Sequence, residues 1–146
     1  MKSNSPDIAR ALGVTARRVR QLLDMGVLLA DDAGQIDPAD ASRRYGVFSR
    51  RNPDELARLT SRLERVADEA CDAADKLGKR ASLAAAQRVA GLAKEFDDLG
   101  RLIEACRPES ERGLLAHARK TIVGSLLGDA IEAARAHERR AGKVVA

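Results

Sequence analysis

The stretch "IARALGVTARRVRQLLDMGVL", Ile8 to Leu28, decides how the N-terminal third of this chain folds. It reads as a short helix, a glycine turn, a second and more basic helix, and a closing glycine. Two helices that cross steeply must touch at one point, so a small residue is needed inside the first, and Ala9 supplies it. Four residues on, the turn requires a positive φ, which Gly13 adopts without steric cost. Val19, Leu22 and Leu23 dock the second helix, and Ile8, Leu12 and Val14 fill the remaining contacts. Ser5 followed by Pro6 reads as the N-cap and first position of the first helix, with Asp7 complementing its dipole. Thr15 caps the second helix, Ala16 to Met25, and Gly26 stops it.

Beyond Gly26, the apolar run Val27 to Leu29, the turn "ADDAGQ" and Ile36 read as a small two-stranded wing. Asp37 and Pro38 open another helix, expected to end near Tyr45 and Gly46, with Tyr45 and Phe48 packing the wing against the helices. "SRRNPDE", Ser49 to Glu55, reads as a basic linker that becomes a helix start, with Asn52 as cap and Pro53 at the first position. The expected fold is all-α with a minimal two-stranded wing. Its expected organisation is a winged helix-turn-helix over 1–48, a linker over 49–53, a heptad-patterned region over 54–107, and a C-terminal amphipathic helix with a basic tail over 108–146.

After Pro53 the hydrophobic period changes. Leu56, Leu59, Leu63, Val66, Ala70, Ala73 and Leu77 alternate steps of three and four, the pattern of a coiled-coil seam. A second seam runs through Ala85, Val89, Leu92, Phe96, Leu99, Ile103 and Cys106. The two are out of phase at "GKRAS", Gly78 to Ser82, which is either a stutter in one long helix or a turn between two. An apolar seam must be buried on another helix, either in a hairpin within one chain or between chains. Leu56, Leu59, Leu63, Val66, Leu77, Val89, Leu92, Phe96, Leu99 and Ile103 are therefore the candidate oligomerisation residues, and a homo-oligomer is expected. Pro108 ends this region, a last helix is expected from about Glu109 to Arg140, and "GKVVA" is expected to fray. Gly124 and Gly128 inside that helix suggest close packing or a kink.

Composition narrows the class. The chain has 146 residues and 26 Lys+Arg against 22 Asp+Glu, for a net charge of +4. Nine bases and six acids lie between Met1 and Pro53, so most of the surplus sits there, and every base there except Lys2 is arginine. Only Tyr45, Phe48 and Phe96 are aromatic, and the abundance of alanine, leucine and arginine suits helices. Cys71 and Cys106 match no zinc spacing and are expected to be reduced thiols in a cytosolic protein. No apolar run approaches the ~18 residues of a membrane span and no signal-peptide core is present, so a cytoplasmic protein that does not contact membrane is expected. His117 and His137 lack ligand spacing, Asp31–Asp32 and Asp97–Asp98 read as solvated pairs, and no GxxxxGK[ST] loop occurs. The expectation is a non-enzymatic protein with no cofactor and no metal.

The exposed residues of the second helix carry the functional signal. Thr15, Arg17, Arg18, Arg20 and Gln21 occupy its N-terminal turns, the part of such a helix that enters a major groove. Arginine and glutamine match the donors and acceptors on base edges, and Thr15 or the helix N-terminus suits a phosphate. Arg43, Arg44, Arg50 and Arg51 are candidates for phosphate positioning, or are simply a solvated helix end and linker. Asp31 and Asp32 make the wing tip a poor DNA contact.

"IARALGVTARRVRQLLDMGVLLADDAGQIDPADASRRY" resembles the N-terminal domain of the small terminase subunits of tailed bacteriophages and prophages. The resemblance rests on Leu12, Gly13, Val14, Thr15, Arg17, Val19, Leu22 and Gly26, then Gly34, Asp37 and Tyr45, and covers roughly the first third of the chain. It implies a non-catalytic, oligomeric protein of the bacterial host cytoplasm that recognises the packaging site on double-stranded DNA. Such a subunit delivers DNA to a large terminase subunit holding the ATPase and nuclease, and the C-terminal helix and "HERRAGK", His137 to Lys143, would meet either that large subunit or DNA. The rival resemblance is to MerR-like dimeric transcription regulators. Their wings carry an arginine–tyrosine pair where this chain has "GQIDP".

Overall fold

The computed structural model describes the backbone of residues 3–145 and side chains as far as Gly142. Lys2 and Lys143, counted above among the bases, lie outside the described side chains, and Ala146 lies outside the described residues. Among the described residues there are six helices and no strand. They are α1 (Ser5–Leu12), α2 (Ala16–Met25), α3 (Pro38–Arg50), α4 (Pro53–Lys79), α5 (Leu83–Cys106) and α6 (Glu109–Val145). None of them is long and apolar enough to cross a membrane. The chain packs as two units, Met1–Thr60 with Asp98–Gly113, and Ser61–Asp97 with Leu114–Ala146.

In the first unit the helix ends follow the capping chemistry, with one shift. Asn4, not Ser5, caps α1: its extended backbone lets its side chain accept from the Asp7 N–H at 3.2 Å, which leaves Ser5 as the first helical residue. Gly13 ends α1 at φ 69°. The Thr15 side chain accepts from the Arg18 N–H at 3.1 Å, and Gly26 ends α2 at φ 80°. Ile8, Ala9, Val19 and Leu22 are buried, and Leu12, Val14 and Leu23 pack at the edge of the same core.

The two-stranded wing is not formed. The Val27 and Leu28 N–H groups both donate to Leu22 O, at 2.9 and 3.2 Å, so these residues finish the C-terminus of α2 instead of joining a ladder. Ile36 pairs instead with Ser3 in a single antiparallel bridge, two N–H···O bonds of 2.8 Å. Between them Asp31 ties the loop together, its carboxylate accepting from the Ala33 and Gln35 N–H groups at 3.0 and 2.9 Å.

Helix α3 also runs past its expected end at Tyr45–Gly46, reaching Arg50. Ala41, Arg44, Val47 and Phe48 form one continuous buried face, and packing it outweighs the ~1 kcal/mol that a mid-helix glycine costs. The basic linker shrinks to Arg51 and Asn52, and Asn52 caps α4 through the Asp54 N–H at 2.9 Å. Leu102, Ala105 and Cys106 of α5 complete this core, and Leu56 and Leu59 pack against it.

In the second unit, "GKRAS" resolves into a turn. Lys79 ends α4, and Ser82 caps α5 by accepting from the Ala85 N–H at 3.1 Å. Val66, Ala70, Ala73 and Leu77 of α4 are buried here, as are Ala86, Val89, Leu92, Ala93 and Phe96 of α5 and Leu126, Ala130 and Ala133 of α6. Arg62 and Glu95 pair across α4 and α5 at 2.9 Å, and Arg119 of α6 pairs with Asp97. Leu63 is half-buried, and Leu99 and Ile103 are buried in the first unit. The apolar surface of both seams is thus largely covered within one chain. The backbone of α6 stays helical through "GKVV", where fraying was expected, and Gly124 and Gly128 face open space instead of a close neighbour.

Gly26 gives a sharp test of the first unit. A Cβ built there would stand 2.7 Å from Arg101 Cβ and 2.4 Å from its Nε, in a left-handed conformation. Gly26→Ala is expected to destabilise the protein by about 1–3 kcal/mol in a denaturant melt, from backbone strain and displacement of Arg101.

Candidate nucleic-acid interface

Helix α2 is held at one end and open at the other. At its C-terminus two arginines from distant parts of the chain donate to carbonyls of the helix end and of the turn that follows it. Arg44 Nε donates to Val27 O at 2.7 Å, and its Nη2 donates to Gly26 O at 2.9 Å and Asp98 O at 3.0 Å. Arg101 Nη2 donates to Asp24 O at 3.1 Å. Cations at a helix C-terminus are favourable for the dipole as well as for the carbonyls. The N-terminal turns, capped by Thr15, remain at the surface.

Arg44 therefore leaves the set of expected phosphate contacts. It is 7% exposed, the only buried charged or polar residue among those described, and its guanidinium is spent on backbone carbonyls. Burial lowers its pKa, an effect opposed by the nearby carboxylates of Asp40 and Asp98.

The other candidates sort by what they already bind. Arg43 is exposed but paired with Asp40, and Arg50 is paired with Glu55 at 3.0 Å. Arg17 and Arg20 are exposed and have no partner among the described residues. With Gln21 they occupy positions i, i+3 and i+4, one outward strip of α2. Asp24, one turn further on the same strip, is exposed and would repel a phosphate, so the DNA-facing part of the strip ends with Arg20 and the neutral Gln21.

Arg18 sits at the side of this strip. Its Nη1 donates to Gln21 Oε1 at 3.2 Å, and its Cζ lies 5.9 Å from the centroid of the Phe48 ring. Arg51 lies over the same ring at 5.5 Å. Tyr45 and Phe48, expected to pack a wing against the helices, pack on the helical core instead, with no wing strand among the described residues, and the Phe48 ring also carries two guanidiniums. The spacing of Phe48 and Arg51, three residues apart at a helix end, is a sequence signal for half of this arrangement; Arg18 is brought to it by the fold. Arg101 carries no local signal at all, since it acts on a helix more than seventy positions earlier.

Outside this region, Cys71 and Cys106 are free thiols. Cys71 is exposed, while burial raises the pKa of Cys106, partly opposed by Arg51, Arg112 and Arg107. His117 and His137 are exposed on α6, and among the described residues no group of three or more His, Cys, Asp or Glu is placed to hold a metal. Comparison of the chain with protein-family models, with curated proteins and with solved structures finds no match.

Proposed function

We propose that this chain is a non-catalytic, oligomeric DNA-binding protein of the small terminase kind, reading duplex DNA with the N-terminal turns of α2 and passing it to a catalytic partner subunit. The observation that carries the DNA reading is the strip of Arg17, Arg20 and Gln21. Its two cations are exposed and unneutralised on a helix whose opposite end is fixed by Arg44 and Arg101. An exposed cation costs the protein nothing to leave unpaired when its partner is a phosphate or base edge supplied from outside. The terminase assignment rests on the sequence resemblance of the first third. Fluorescence anisotropy with a mixed-sequence duplex tests the DNA reading: log K should fall linearly with log salt, and absence of binding at low salt would sink it.

Besides the α4–α5 seams, which are largely covered within one chain, the assembly has a candidate surface on α6. Lys120, Leu127, Ile131 and Glu138 of α6 fall on one stripe of the helix at 3.6 residues per turn, and all four are exposed. Lys120 and Glu138 have no partner among the described residues. Set antiparallel against its own copy about Asp129, the stripe brings Leu127 opposite Ile131 and Lys120 opposite Glu138, apolar on apolar and plus on minus. The open surface at Gly124 lets the two backbones approach. Lys120→Glu alone should lower the solution mass measured by light scattering, and adding Glu138→Lys should restore it. A protein that is monomeric at all concentrations would remove assembly from the reading.

A further inference from the structure

Arg51 is the only non-glycine residue with positive φ among those described, at φ 49° and ψ 38°. It closes α3, its N–H donating to Val47 O at 2.9 Å, in a position usually given to glycine or asparagine. Arginine has no intrinsic reason to be there, since its Cβ is crowded in the left-handed region. A residue kept in a disfavoured conformation invites the question of what its side chain does.

The side chain answers with a second observation. Arg51 and Arg18 both stand over the ring of Phe48, which is itself 6% exposed and anchored in the first unit's core. Neither guanidinium has a carboxylate partner among the described residues, although Arg50 next door is neutralised by Glu55. One buried aromatic thus orders two like charges at the flank of α2. The ring quadrupole attracts each of them, but neutralises neither charge. An anion between or across them would do so.

Building on the DNA reading of α2, we propose that Arg18 and Arg51, positioned by Phe48, form a two-guanidinium clamp for the DNA backbone, gripping phosphates of one strand beside the groove that α2 enters. The ligand chemistry is the phosphodiester: two planar forks of donors, held on one ring, meet non-bridging oxygens in bidentate fashion. Arg51 contributes affinity and register but no sequence discrimination, because it meets no base edge.

The test uses the opposite signs that the clamp imposes on stability and binding. Arg51→Gly in the full chain removes the strain and the cation together. Its melting temperature should rise by a few degrees. Its affinity for a mixed-sequence duplex should fall about tenfold at low salt, and the slope of log K against log salt should flatten by about one. Arg50→Gln removes a neighbouring charge that is already paired and should change affinity less than about twofold. Phe48→Leu keeps both cations while removing the ring, and should flatten the salt slope as well. If the unaltered protein binds and Arg17→Ala with Arg20→Ala weakens it, but Arg51→Gly binds as tightly as before with an unchanged slope, the clamp is overturned and the reading helix stands. Equal losses for Arg51→Gly and Arg50→Gln would also overturn it, showing only general charge. If the unaltered protein does not bind DNA, the DNA reading falls and the clamp falls with it.

Discussion

Replacing Arg44 by methionine is expected to lower the melting temperature of the first unit by roughly 10 °C, the consequence of about 3 kcal/mol of lost stability. The side chain is apolar and nearly as long, so the cavity is small. What is lost is the set of charge-assisted bonds to Val27 O, Gly26 O and Asp98 O, the first two buried and the third partly so, which leaves these carbonyls without that donor. Arg44→Lys keeps the charge and should still fall by a large fraction of this amount, because a single ammonium cannot reproduce a fork that spans three acceptors. Differential scanning calorimetry reads both. Measured well below the lowered midpoint, DNA affinity should be nearly unchanged. A variant that melts normally but binds DNA poorly would return Arg44 to the surface role that its sequence context suggests.

The mirror image is expected for Arg17→Ala combined with Arg20→Ala. Both side chains are exposed and have no partner among the described residues, so the double variant should melt within about a degree or two of the unaltered protein. Duplex affinity should drop about thirtyfold or more at moderate salt, since two good arginine contacts are each worth about 1–3 kcal/mol and tenfold corresponds to about 1.4. If they meet phosphates, the loss should be uniform across sequences and the salt slope should shrink by about two; if they meet base edges, the loss should concentrate on a preferred site. Unchanged affinity across the salt range would remove α2 as the reading helix. The pair of experiments separates two arginine roles that look identical in the sequence.

That identity is instructive. "SRRYGVFSRR", Ser42 to Arg51, presents four arginines in ten residues, and nothing local distinguishes them. The structure gives each a different task. Arg43 pairs with Asp40 one turn back, Arg44 is buried on carbonyls, Arg50 meets Glu55, and Arg51 lies over Phe48. Helical phase explains part of this: Arg44 shares the buried face with Ala41, Val47 and Phe48, so a helix continuing through Gly46 turns it inward. An expected helix end at Tyr45 hides that phase, and the error in the boundary becomes an error in the site.

Whatever depends on near neighbours was legible in the residue order. The caps at Thr15, Gly13, Gly26, Asp37 and Asn52, the all-helical class, the docking of Val19 and Leu22 and the outward strip on α2 all follow from φ preferences, local hydrogen bonds and a period of 3.6. That order also showed most of what α4 and α5 bury, because an apolar seam cannot remain in water, although Leu56, Leu59, Leu63 and Ala85 stay half-buried and Ala86, Ala93, Leu102 and Ala105 join the buried set. Where that burial happens depends on how the whole chain packs, since covering a seam within one chain and covering it between chains satisfy the same pattern. The tertiary structure decided likewise that Val27 and Leu28 finish α2 instead of forming a wing, their N–H groups being taken by Leu22 O. And it alone brought Arg101, Asp98 and Arg44 to the end of α2, a meeting of chain segments tens of residues apart that no local preference encodes.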